Sequence, residues 1–370
     1  LPKNLLIALL LLPFASCAQD FEAGLDAYAD GDYDTALEEW RPLAERGSPK
    51  AQFALGFMYL QGQGVTRDAE EAVKLFRSSA KKGDPRAQYH LGLTYRTGDG
   101  VAQDTGEAIR WLRKSADQGY PEAQNDLGTI YQKGAEVPQD HEEAVDWYRR
   151  AADQGLPEAQ YNLGLMYDRG NGVPQAYTEA IEWYRQAAEQ DHPVAQTKLG
   201  VIYANGHGVR QDYQKAVEWY SKAAKQGNPL AQHNLGVLFA RGLGVTQDIS
   251  KALELFYSSA HQGFLRSQNT IGVIYTNGIG VRQDYREAID WFRRAAEQGY
   301  APARTNLGKM YDRGTGVPQD LEKAAEWYRL AAEQGDAGAQ YNLGIMYAKG
   351  EGVSQSFTNA YMWLDLAAMN

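Results

Sequence analysis

The pair Leu-Gly returns every 36 residues along most of this chain, and that period restricts the possible folds more than any other feature of the sequence. It stands at Leu55-Gly56, Leu91-Gly92, Leu127-Gly128, Leu163-Gly164, Leu199-Gly200, Leu235-Gly236, Leu307-Gly308 and Leu343-Gly344, with Ile271-Gly272 in the same register. Nine occurrences without an insertion describe one supersecondary unit stacked in tandem. A chain of 370 residues would otherwise be divided into two or three unrelated domains. The period replaces that division with a solenoid, in which each unit buries its apolar face against its neighbours.

The other columns of the repeat say what the unit is. Three residues after each Gly comes an aromatic, as at Tyr59, Tyr95, Tyr167 and Phe239. A Gly-rich turn ending in Val follows, such as Gly62-Gln63-Gly64-Val65, and then usually an Asp: Asp68, Asp104, Asp140, Asp212, Asp248, Asp284 and Asp320. An Ala such as Ala72 or Ala144 leads to a bulky pair such as Trp147-Tyr148 and a small pair such as Ala151-Ala152. Ala51, Leu55, Met58 and Tyr59 share one face at helical spacing, so helix A of the first unit is expected over about 51–61. The Gly after it suits a helix end that turns through positive φ. Helix B is expected to start after the Asp, an N-cap residue, with Asp68–Glu71 and Asp104–Glu107 at capping-box spacing. Small residues at Gly56 and Ala72 let the two helices approach closely, and Tyr59 and Phe76 fill the space around them.

The resulting pattern, A-x-x-x-L-G-x-x-Y-x-x-G-x-G-V followed by D-x-x-x-A-x-x-W-Y-x-x-A-A, resembles the Sel1-like repeats, relatives of the tetratricopeptide repeat. The resemblance implies an all-α, right-handed superhelical solenoid of paired antiparallel helices. It covers residues 49–370, nine units with the last short by two residues. Residues 19–48 read as a degenerate, tetratricopeptide-like capping unit, because Gly24 to Ala36 spans 12 residues where Gly56 to Ala72 spans 16. Some units depart from the pattern. Glu136 replaces the second turn Gly, Ala176 and Ser356 replace the capping Asp, and Asp191 replaces the inter-repeat Gly, so local turn geometry is expected to differ there.

Residues 1–18 read as an export signal: Lys3 precedes the apolar run Leu5–Leu12, which is too short to span a bilayer, and Pro13 ends it. Two cleavages compete. Ser16-Cys17-Ala18 would release a chain starting at Gln19, whereas Phe14-Ala15-Ser16-Cys17 resembles a bacterial lipobox with Cys17 carrying lipid. The expected location is therefore periplasmic or secreted, with an outer-membrane lipoprotein as the alternative, and a membrane is a partner only if Cys17 is lipidated. Cys17 is the one cysteine, so no internal disulfide or cysteine-based zinc site can form. A formal charge of −10 argues against nucleic acid as a partner.

No catalytic set emerges. The six histidines occupy different repeat positions without an H-x-x-x-H spacing, so they read as surface polar residues, and no metal or cofactor is expected. The Gly-rich turns follow a helix and lack the G-K-[ST] ending of a phosphate loop. Trp111, Trp147, Trp183, Trp219, Trp291, Trp327 and Trp363 fall in one column inside the apolar stripe of helix B, where core packing accounts for them better than sugar stacking.

What varies on helix A is the better functional signal. The residue before each Leu is polar in eight of nine units and includes Asn162, Asn234, Asn306 and Asn342. The preceding position includes Tyr161 and Tyr341. In tetratricopeptide proteins the matching positions line a concave groove, so the resemblance implies that these residues contact a peptide, although they also fit a role within the scaffold. Arg169, Arg241 and Arg313 follow at the helix end, where they add positive charge to the groove edge or complement the helix dipole. The leading expectation is a non-catalytic protein- or peptide-binding scaffold of the cell envelope or periplasm. Two alternatives stand beside it: a β-lactam-binding or hydrolysing enzyme like the cysteine-rich Sel1-like proteins, whose disulfides this chain lacks, and a lipid-anchored structural subunit of an envelope assembly.

Overall fold

The computed structural model describes residues 20–369, so Cys17 and the segment expected to be an export signal lie outside the described residues. Two compact units divide the chain after Ala180. The first holds α1 (Phe21–Ala29), α2 (Tyr33–Glu45), α3 (Pro49–Gln61), α4 (Ala69–Lys81), α5 (Pro85–Thr97), α6 (Thr105–Asp117), α7 (Pro121–Lys133), α8 (His141–Asp153) and α9 (Pro157–Arg169), and ends within α10 (Tyr177–Glu189). The second continues with α11 (Pro193–Asn205), α12 (Tyr213–Lys225), α13 (Pro229–Arg241), α14 (Ile249–His261), α15 (Leu265–Asn277), α16 (Tyr285–Glu297), α17 (Ala301–Arg313), α18 (Leu321–Ala332), α19 (Ala337–Lys349) and α20 (Phe357–Met369). Every regular element among the described residues is a helix, and in each unit consecutive helices pack as pairs.

The helix boundaries follow from local chemistry. Proline at the first helical position opens α3, α5, α7, α9, α11 and α13, where its missing N–H and fixed φ are harmless. Glycine in the left-handed region ends these helices; Gly62, for example, has φ 72°. The expected Asp N-caps are present: the Asp68, Asp104 and Asp140 carboxylates accept from the backbone N–H of Glu71, Glu107 and Glu143. Ser356 serves where Asp is missing, its hydroxyl accepting from Asn359 N at 3.3 Å.

Two departures from the repeat are resolved differently. Asp191 keeps the conformation of the Gly it replaces, with φ 61°, the one positive φ at a non-Gly residue among those described. Asp is among the few residues that tolerate this region. Glu136 does not keep it. The equivalent Gly100 and Gly172 have φ 74° and 69°, and a Cβ on either would collide with the backbone of the preceding helix B, at Ala69 and His141. A side chain cannot occupy that approach, so the turn at Gly134-Ala135-Glu136 takes another path.

The core is strung along each unit rather than gathered at one centre. A typical cluster joins Ala288, Ile289, Phe292, Ala295 and Ala296 of α16 to Ala303, Leu307 and Met310 of α17. Each helix B is thus completed by the next helix A. On α20, Phe357, Tyr361 and Met369 are 70–73% exposed.

The tryptophan column is only partly core. Trp111, Trp147 and Trp291 are buried, whereas Trp183, Trp219, Trp327 and Trp363 are half-buried. The adjacent Tyr148, Phe256, Phe292 and Tyr328 are the buried ring fillers. The Trp147 indole N–H donates to the Glu143 carboxylate at 2.9 Å, and the Arg150 guanidinium lies 4.4 Å from its ring centroid. The column therefore lies at the edge of the core, apolar on one side and solvated on the other.

Candidate functional site

The helix-A columns can now be followed as side chains. Asn162, Asn234, Asn306 and Asn342 are all half-buried. Asn162 Nδ2 donates to Asn125 Oδ1 at 2.9 Å, and Asn306 Nδ2 donates to Asn269 Oδ1, also at 2.9 Å. Both bonds cross between successive repeats, from the residue before Leu in one to the residue two before Leu in the preceding one. Asn234 instead donates to the Tyr220 hydroxyl at 3.3 Å. Asn162, Asn234 and Asn306 are therefore tied into the scaffold, yet each carboxamide carries two donors and an acceptor with two lone pairs, and these bonds use only part of that capacity.

The tyrosines differ. Tyr341 is 56% exposed, whereas Tyr161 is half-buried and burial raises its hydroxyl pKa. Arg169, Arg241 and Arg313 are exposed in the last turns of α9, α13 and α17, a favourable place for cations at a helix C-terminus.

The structure brings two of these residues into one space. Asn306 and Arg313 line a cavity of about 380 Å³ together with Asn277, Lys309, Thr315 and Phe292. Lys309 was not singled out in the sequence. Its column otherwise holds Phe57, Leu93, Thr129, Leu165, Val201, Val237, Val273 and Ile345, so a lysine there breaks an almost wholly apolar series. That break was the available signal. Arg169 and Arg241 do not line that cavity.

A second set of polar residues holds the repeats in register. The side-chain N–H groups of Gln52, Gln88, Gln124 and Gln232 donate to the carbonyls of Ala44, Ala80, Ala116 and Ala224, eight residues earlier. Gln118 then donates to Gln88, Gln154 to Gln124 and Gln262 to Gln232, at 2.7–2.9 Å. In one repeat Arg304 replaces this Gln, and its Nε donates to Ala296 O at 3.0 Å.

Two histidines correct the sequence reading. His233 is 5% exposed, its Nδ1 is 2.9 Å from Ser267 Oγ, and its ring packs near Phe256 and Phe264. His90 lies among Phe53, Phe57, Phe76 and Tyr89. They occupy helix-A columns that pack against neighbouring helices, which is why they are not surface groups. Burial lowers the pKa of both to about 4, with Arg266 adding to the effect at His233. The described residues contain no group of three His, Cys, Asp or Glu side chains placed to hold a metal ion. No described helix is long and apolar enough to cross a membrane.

Nine successive segments match the Sel1 repeat: 49–84, 85–120, 121–156, 157–192, 193–228, 229–264, 266–300, 301–336 and 337–370. A protective antigen present in uropathogenic Escherichia coli strains, displaying an SLR fold, is similar with a TM-score of 0.81 and 38% identity over 95% of this chain and 76% of that one. A Sel1 repeat protein from Oxalobacter formigenes gives a TM-score of 0.64 and 37% identity over 85% of this chain and 89% of that one. No curated protein matches the chain.

Proposed function

The chain belongs to the Sel1 repeat family, and on that premise we propose that it is a non-catalytic scaffold holding a protein or peptide partner along its helix-A face. Sel1 repeats generally mediate protein–protein interaction. The observation that carries the reading to this face is the cavity shared by Asn306, Lys309 and Arg313. Asn supplies both a donor and an acceptor for an extended backbone, and the two cations favour carboxylates on the bound segment. A tandem array extends such contacts along neighbouring repeats.

The test is capture of partners from an extract of the source cell by the immobilised chain. Replacing Asn234 and Asn306 together by Ala is expected to weaken capture more than tenfold. Thermal stability should fall only by the lost side-chain hydrogen bonds, about 1 kcal/mol each. Asn269→Ala removes the partner of Asn306 and serves as the control. If it weakens capture as much as the double variant does, the ladder is scaffold and the face is misassigned.

We place this activity outside the cytoplasm, on the apolar run Leu5–Leu12 and the small residues after Pro13. Mass spectrometry of the exported protein is expected to find a chain starting at Gln19. A diacylglyceryl group on Cys17 would instead place the scaffold on a membrane surface.

A further inference from the structure

At the N-terminal end, the helix-A face changes character. The column that holds Asn162, Asn234, Asn306 and Asn342 is polar in every repeat except the first, where it is Ala54. Phe53 and Phe57 flank that position. Across from them, α1 presents Phe21, Leu25 and Tyr28, and the two sets enclose a cleft of about 180 Å³. Leu25 is 44% exposed at its mouth.

The polar atoms of the surrounding rings are engaged elsewhere. The Tyr28 hydroxyl donates to Gln63 Oε1 at 2.6 Å, and Trp40, which also lines the cleft, donates its indole N–H to Phe21 O at 3.1 Å. What remains facing the space is apolar surface with room for one large side chain. Two cations stand over its walls. Arg86 lies 4.7 Å from the Phe53 centroid and is paired with Asp84 at 2.7 Å. Lys50 lies 5.8 Å from the Phe21 centroid and makes no ion pair among the described residues. Glu22 and Asp26 lie one position further round α1 than Phe21 and Leu25, exposed to solvent.

We propose that this cleft anchors a partner segment by one bulky aliphatic or aromatic side chain, with an adjacent carboxylate of the segment paired to Lys50. A desolvated apolar pocket rimmed by a charge is the usual form of an interface anchor. Volume and lining select the side chain, and the unpaired lysine selects the sign of its neighbour. The site deepens the scaffold reading, since it adds a distinct specificity element to the same face, more than 100 residues from Asn162.

The probes are four fluorescein-labelled peptides in a Gly-Ser background with a central Phe-Glu, Ala-Glu, Phe-Lys or Ala-Lys pair, read by anisotropy on the chain starting at Gln19. Phe-Glu is expected to bind at least tenfold more tightly than the other three. Ala54→Asn, which restores the polar column, should abolish that advantage with little change in the melting temperature. Lys50→Glu should transfer the preference to Phe-Lys. Equal binding of all four peptides, or a Phe-Glu preference untouched by both substitutions, overturns the proposal. Loss of helicity in Ala54→Asn would leave Lys50→Glu, at an exposed position, to decide it. Running the panel on the Asn234→Ala/Asn306→Ala chain separates the two ideas: peptide selectivity should persist there even if partner capture fails.

Discussion

Acidification from pH 6.5 to 4 is expected to destabilise the folded chain through His90 and His233. In the unfolded chain both imidazoles take up protons near the ordinary value of 6.5, whereas burial delays protonation in the fold to about 4. Within that window the unfolded state binds more protons, so stability falls as the pH falls. Above pH 6.5 both rings are neutral in either state and the stabilising difference is fully present. Each shift corresponds to roughly 3 kcal/mol at its limit. Carboxylates titrate in the same range, so the informative quantity is a difference. Thermal melts of the wild type and of His90→Leu/His233→Asn should diverge in slope between pH 6.5 and 4, the variant falling less. Parallel curves would mean that the two rings take up protons freely in the folded chain.

Gly128→Val is expected to have the other large effect. A Cβ at this position would lie 2.7 Å from the Tyr148 ring. The ring cannot easily swing aside, because the Tyr148 hydroxyl donates to Gln132 Oε1 at 2.7 Å and lies 3.1 Å from Thr129 Oγ1. Overpacking of this kind costs roughly 1–3 kcal/mol, and the tethered ring places the substitution at the upper end. Gly106→Ala is the control. Gly106 is in the first turn of α6, and an added Cβ would meet only Asp104 Oδ1, at 3.4 Å. It should be neutral or raise stability by about 0.5–1 kcal/mol. A Gly128→Val chain that melts like the wild type would show that α7 and α8 are not packed at a close crossing there.

Most of the fold was legible because each repeat restates the same local rules. The Gly column places the end of α3 at Gln61 and the Asp column the start of α4, and the 36-residue phase carries both marks along the repeats. What escaped was mostly diagonal. Reading down a column compares like with like, but Asn162 bonds Asn125 and Asn306 bonds Asn269, each 37 residues away and so one column across. The same applies to the glutamines, whose recurrence was visible but whose carbonyl partners on the preceding helix were not. His233 escaped because a single polar residue in a variable column shows nothing of the helix that covers it. The two features on which the proposed binding sites rest, Lys309 and the Phe53-Ala54-Phe57 patch, are departures from columns rather than members of them.

The glutamine bonds have a consequence for how such a protein changes length. Gln118 reaches Gln88, Gln154 reaches Gln124 and Gln262 reaches Gln232, always 30 residues back, and every link repeats the geometry of the last. An added or lost segment preserves this lattice only if it contains a whole number of 36-residue periods. Length is thereby quantised. A recombination event between two repeats that splices one copy out or in keeps the 36-residue phase, so the array can grow or shrink by whole steps without a new core having to be invented.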